Sequence, residues 1–225
     1  NIKTLFINLT PILFVFLWAS GSIYQSFFFL SIAYGISLGL LSIILGIQPV
    51  ITPIIAKEKL SKPLYLVLIL AFVGLIITIL GYRKIEGFSY LGIIFAFVSV
   101  FSFSIGNVIQ KDISCSKVNI LKIQSVLSSF LFLIPLFLGQ WNINLTYQFS
   151  VALAWMVFII SIGATLLLLF MLKESKVSRV SSLFFCVPPL TIFFEFIFYT
   201  GKITVTSILG TILTIISVRM FFLFT

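Results

Sequence analysis

Few side chains in this chain of 225 residues are equipped for catalysis: it has no His, two Cys (Cys115 and Cys186) and five carboxylates. No two carboxylates share an apolar run, so metal ligation and general acid–base chemistry lack their usual groups. An intramembrane enzyme is the least favoured class, and no cofactor or metal is expected. What remains is a set of uncharged polar side chains at helical spacing. Gln48 with Thr52, Asn107 with Gln110, and Ser161 with Thr165 lie three or four residues apart and so share a helix face. In an apolar solvent such groups either bridge helices, at ~0.6 kcal/mol each, or line a polar path, and both readings stand. Glu195 is the one carboxylate inside an apolar run, where a charge costs about 2.5–3.5 kcal/mol at the bilayer centre. It is a candidate for proton coupling, with Lys202 placed to pair with it instead.

The elements that position these groups are membrane spans. The sequence is 61% hydrophobic and 8% charged, and no charge occurs from Thr4 to Ala56, against about 25% charged in soluble domains. A span needs about 20 apolar residues. Cutting at charged or polar clusters predicts eight, at 4–23, 26–56, 64–82, 88–110, 120–139, 150–172, 180–199 and 204–224. The second would measure about 46 Å as one helix, longer than a hydrocarbon core of about 30 Å. It must tilt, kink or begin as a partial helix, with Pro49, Pro53 and the Gly35/Gly39 pair as break points. The first apolar run exceeds a signal-peptide core and belongs to a repeat, so it is read as a span. Cys115 falls in a connection and Cys186 in a helix, so no disulfide is expected.

Of the fourteen Lys and Arg, only Arg83, Lys84 and Lys202 fall on one side of this arrangement. The positive side faces the cytoplasm, which puts both termini there, in a multi-pass protein of the cell inner membrane. The net charge of +9 is thus a topology signal and an attraction to the lipid bilayer; without a clustered basic face, nucleic acid is not an expected partner.

Two patterns occur twice. FVFLWASGSIYQ, ending at Gln25, returns at an offset of 85 as SVFSFSIGNVIQ, ending at Gln110, with Gly21 over Gly106 and Ser22 over Asn107. ILGIQPVIT around Pro49 returns at an offset of 140 as FFCVPPLT around Pro189, and beyond it Leu60 aligns with Ile203 and Ser61 with Thr204. The Pro189 helix comes five spans after the Pro49 helix, so the copies cross in opposite directions: an inverted repeat, with a first repeat at 1–87 and a second at 88–225. The two patterns stand 55 residues closer in the first copy, about two spans. Losing an even number leaves every later helix in its orientation.

The WASG of the first helix, QPVIT followed by KEKLS, and PPLT followed by GKIT resemble the EamA-type transporters of the drug/metabolite transporter (DMT) superfamily, shortened here by about two helices in the first half. The resemblance implies an all-α polytopic fold, an incomplete version of two inverted five-helix halves around a central cavity. It also implies transport of amino acids, nucleotide-type metabolites or drugs. Trp18, Ser20 and Gly21 match the family's tryptophan and small-residue motif, Pro49 and Pro189 its two helix prolines, and Glu58 its acidic residue. Gly201 stands where the second half usually carries that acidic residue.

The substrate path is expected to be lined by polar groups and by backbone freed at the broken helices, since neither is tolerated facing lipid. The candidates are Trp18, Ser20, Gln48, Pro49, Thr52, Asn107, Gln110, Ser161, Thr165 and Pro189, with Glu195 for coupling. Trp18 is either a stacking wall or ordinary packing. Ser31, Gly35 and Gly39 read as a small-residue ridge permitting close helix approach, with a homodimer as a further expectation. The function expected is alternating-access transport of a small metabolite, not enzymatic activity. The alternative is a remnant that no longer transports or needs a partner.

Overall fold

In a computed structural model, residues 21–82, 89–112, 116–138, 146–199 and 204–224 are described, and every regular element among them is helical. In chain order these are α1 (Ser22–Ala33), α2 (Leu38–Leu45), α3 (Gln48–Ile55), α4 (Lys62–Tyr82), α5 (Tyr90–Asp112) and α6 (Lys117–Leu138). Next, α7 (Tyr147–Ala154) passes through a π-helical stretch (Trp155–Ala164) into α8 (Thr165–Glu174). Then α9 (Val177–Ser182) passes through a 3-10 turn (Leu183–Cys186) into α10 (Val187–Tyr199), and α11 (Val205–Phe224) follows. Five helical runs among the described residues, Leu38–Ile55, Lys62–Gly81, Tyr90–Lys111, Tyr147–Glu174 and Val205–Phe224, are long and apolar enough to cross a bilayer. The chain is an all-α, polytopic membrane protein.

The run expected as one span over 26–56 is two antiparallel helices. Gly35 sits at φ +82, a left-handed conformation that favours glycine, and the Ile36 N–H donates back to the Ser31 carbonyl at 3.3 Å. Ser37 then caps α2, accepting from the Leu40 N–H at 3.3 Å. Along α5, the Ser99 hydroxyl donates to the Tyr24 carbonyl, Gly92 abuts both Ser31 and Ile36, and Thr52 reaches Ser104. The chain therefore runs up α5 and back, reversing at 34–37 rather than at 24–25. For the same reason Ser31, Gly35 and Gly39 form no continuous helical ridge.

Pro49 and Pro189, expected in broken helices, stand just after a break, whereas Pro53, also expected as a break point, lies inside α3 without ending it. Between α2 and α3 the helix is interrupted at Gly46 and Ile47, and Pro49 occupies the first turn of α3, where its missing N–H leaves nothing unpaired. The second copy does the same: a 3-10 turn precedes Pro188 and Pro189 at the start of α10. Ser61 and Thr204, aligned in the repeat, each stand immediately before a helix, α4 and α11.

These two helices make the most extensive helix–helix contact among the described residues. A Cβ on Gly74 would lie 2.6 Å from Thr214 Oγ1, and one on Gly210 would collide with the Thr78 and Gly74 backbones. Thr78 and Thr214 donate to the carbonyls of Gly74 and Gly210 on their own helices, at 2.8 and 2.9 Å, so the contact buries no unpaired hydroxyl. Lipid gives helices no hydrophobic reason to associate, and such close small-residue packing takes its place. Leu68, Leu75, Phe185 and Phe221 complete this core. A second core joins α1, α2 and α5 through Ile36, Leu41, Ile44, Ala96 and Val100.

Candidate functional site

The two copies of the first pattern meet around one cavity of about 330 Å³. Gly21, Tyr24 and Gln25 come from the first copy; Ser102, Phe103, Gly106, Asn107 and Gln110 come from the second. Gln124 of α6 and Thr165 of α8 close the sides. Asn107 and Ser102 are each 2% exposed, and neither Asn107 Nδ2 nor Ser102 Oγ has a hydrogen-bond partner among the described residues. Leaving a buried donor unsatisfied costs about 1–3 kcal/mol, so these two are groups with something to gain from a solute or water in the cavity.

The two copies of the second pattern meet around another, smaller cavity of about 200 Å³. Leu45, Gly46 and Gln48 line it from the first copy, Phe184, Val187 and Pro188 from the second. Gln48 is buried, and its Nε2 has no partner among the described residues. Among the described residues, neither cavity is lined by a charged side chain.

Tyr24, Phe103 and Phe184 belong to the walls of both cavities. The Tyr24 and Phe103 rings are 4.7 Å apart, and the Phe103 and Phe184 rings meet edge to face at 5.4 Å, a favourable aromatic geometry. Phe184 lies in the 3-10 turn before the paired prolines, so the aromatic partition is attached to the point where the second broken helix changes its winding. Such irregular turns mark places where a helix can hinge.

At the end of the bundle where α3, α5 and α8 finish, the Glu58 carboxylate accepts hydrogen bonds from the N–H groups of Val177, at 2.8 Å, and Ser178, at 3.3 Å. Lys111 Nζ lies 3.9 Å from the same carboxylate, and Lys173 donates to the Lys111 carbonyl at 3.0 Å. A carboxylate at the start of a helix satisfies orphan N–H groups and meets the positive end of its dipole.

Of the candidate residues, Asn107, Gln110 and Thr165 line the larger cavity and Gln48 the smaller. Thr52 is buried beside them; its hydroxyl is shared between the Gln48 carbonyl at 2.7 Å and Ser104 Oγ at 3.1 Å. Pro49 and Pro189 are buried in the first turns of α3 and α10 and shape the backbone, with Pro188 facing the smaller cavity. Ser161 lies in the π-helical stretch, exposed, and lines neither cavity. Trp18 and Ser20 lie outside the described residues, as does the side chain of Glu195. The aromatic partition and Gln124 were not anticipated. One signal pointed to Phe103: at the offset of 85 it is the repeat partner of Trp18.

A family model described as the EamA-like transporter family matches residues 90–223. Comparison with curated proteins gives no match. Among solved structures, one described as "Crystal structure of protein" superposes with a TM-score of 0.76 at 11% identity, over 92% of this chain and 75% of the other, a likeness of fold alone.

Proposed function

The chain belongs to the EamA-like transporter family, and on that premise we propose that it carries a small metabolite across the membrane by alternating access, with the larger cavity as the substrate site. The observation that carries this reading is that both copies of the first pattern converge on one cavity whose buried Asn107 amide is left unpaired. Inverted repeats in transporters place the substrate at their mutual interface, beside broken helices. Here the halves, residues 1–87 and 88–225, would rock about the Tyr24–Phe103–Phe184 partition, opening one cavity to each side in turn. The Glu58 contacts with Val177 and Lys111 would be made and broken at the lysine-rich end, which the distribution of Lys and Arg assigns to the cytoplasm. Both termini then lie in the cytoplasm, and the host membrane is the cell inner membrane.

Glu195 is the coupling group in this reading, being the single carboxylate within an apolar run. The test is uptake of a labelled pool of amino acids, nucleosides and nucleotides into proteoliposomes containing the purified chain, with and without a pH gradient. Flux above that of empty vesicles supports the reading; a folded, monodisperse protein with no flux favours the alternative. That second reading, a chain that needs a partner to transport, rests on one observation: residues 147–159 are exposed throughout and line neither cavity.

A further inference from the structure

We infer that the larger cavity binds an uncharged, planar heteroaromatic solute of the nucleobase or nucleoside kind. This deepens the transport proposal and rests on it for the site's role, though not for its chemistry. The absence of charge among the described lining residues comes first. A phosphate or carboxylate would need an Arg, Lys or cluster of N–H groups, and an ammonium would need an anion; a buried charge without such a partner is strongly disfavoured. Nucleotides and zwitterionic amino acids are therefore poor fits.

The polar lining is mostly amides, with the hydroxyls of Ser102, Thr165 and Tyr24. Asn107, Gln110, Gln124 and Gln25 each carry a donor and an acceptor on one rigid plane, the complement of a heterocycle edge on which ring nitrogens, carbonyls and amino groups alternate. The unpaired group of Asn107 is the donor, Nδ2, as is a hydroxyl at Ser102. Partnerless donors on lining residues suit a solute bearing acceptors and disfavour an organic cation, which the aromatic rings alone would attract. Tyr24 and Phe103 add π faces on which any base can stack. A cavity of about 330 Å³ is at the lower end of the range for small-molecule sites, which suits one ring system with or without a sugar.

The test is equilibrium binding of labelled adenine, uracil, uridine, UMP, phenylalanine and tetraphenylphosphonium to the full chain in nanodiscs, at low and high salt. The expected result is binding of one or more of the three uncharged heteroaromatics, unchanged by salt, with no measurable binding of the other probes. Asn107→Leu should weaken that binding at least tenfold, and Phe103→Leu should weaken it several-fold, in variants that stay monodisperse. Preferential binding of UMP, phenylalanine or the cation overturns the inference, as does no binding of any uncharged probe, or affinity indifferent to both substitutions. Binding without flux in proteoliposomes would uphold the site's chemistry and refute the transport reading; flux of charged solutes alone would do the reverse.

Discussion

The Glu58 carboxylate accepts a hydrogen bond from the Val177 N–H at 2.8 Å, tying the end of the first proline-broken helix to the start of the second. Because the two helices come from opposite copies of a repeat, this contact joins the halves at the lysine-rich end. The Lys111 ion pair beside it is 3.9 Å long and its Lys is about one-third exposed, so most of the hold comes from the charge-assisted hydrogen bonds.

Glu58→Ala removes the carboxylate that accepts from both backbone N–H groups and is expected to lower stability by about 1.5–3 kcal/mol, read as a reduced thermal midpoint in detergent. Lys111→Ala should cost under about 1 kcal/mol. In the alternating-access reading, Glu58→Ala also raises labelling of a cysteine placed at Asn107 from the cytoplasmic side. Unchanged labelling would separate the contact from gating.

Gly210→Ala drives a methyl into the backbone of α4, where nothing flexible can yield. A loss of about 1–3 kcal/mol is expected, as for other overpacked sites. Gly163→Ala is the control: its nearest neighbour to a new Cβ is 3.5 Å away, and ordinary contact should leave stability within about 0.5 kcal/mol.

The reversal at Gly35 makes a topological prediction. A cysteine replacing Tyr34 should react with an impermeant reagent from the side opposite to one replacing Lys59, whereas a cysteine replacing Gln25, which faces the larger cavity, should not share the reactivity of position 34. Equal labelling at 25 and 34 from one side would contradict the hairpin.

For Glu195, substitution by Gln is expected to abolish the part of transport that depends on a pH gradient while sparing exchange in its absence. Flux measured in proteoliposomes with and without the gradient checks this, and a gradient response intact in Glu195→Gln excludes the residue from coupling.

How much of this was legible in the sequence depends on what kind of signal each feature leaves. Gly106, Asn107 and Gln110 stood out because polar and small residues are rare in an apolar chain and here recur at a fixed offset. The breaks beside Pro49 and Pro189 were legible because proline favours the first turn of a helix, whereas Pro53 inside α3 shows that proline alone does not place a break. A break at Gly35 was expected, but that it is a full reversal over Tyr34–Ser37 was not legible, since spans were cut at charges and none occurs between Thr4 and Ala56; a turn closed by a glycine and backbone hydrogen bonds needs no polar residue. The aromatic partition was hidden among 27 Phe residues: Phe103 had one signal, its place opposite Trp18 in the repeat, and only three-dimensional convergence distinguishes Phe184 from lipid-facing neighbours. Ser161 failed to reach a cavity because the π-helical winding of 155–164 shifts the face that a regular helix would present.

The claim that the larger cavity carries the solute is tested most directly by flux of a labelled uncharged heteroaromatic into proteoliposomes holding either the unaltered chain or Asn107→Leu, matched for incorporation and monodispersity. The account predicts saturable flux above empty vesicles for the unaltered chain and at least a tenfold lower rate at subsaturating solute for the variant. Saturable flux that is the same in both would place the path elsewhere and contradict it.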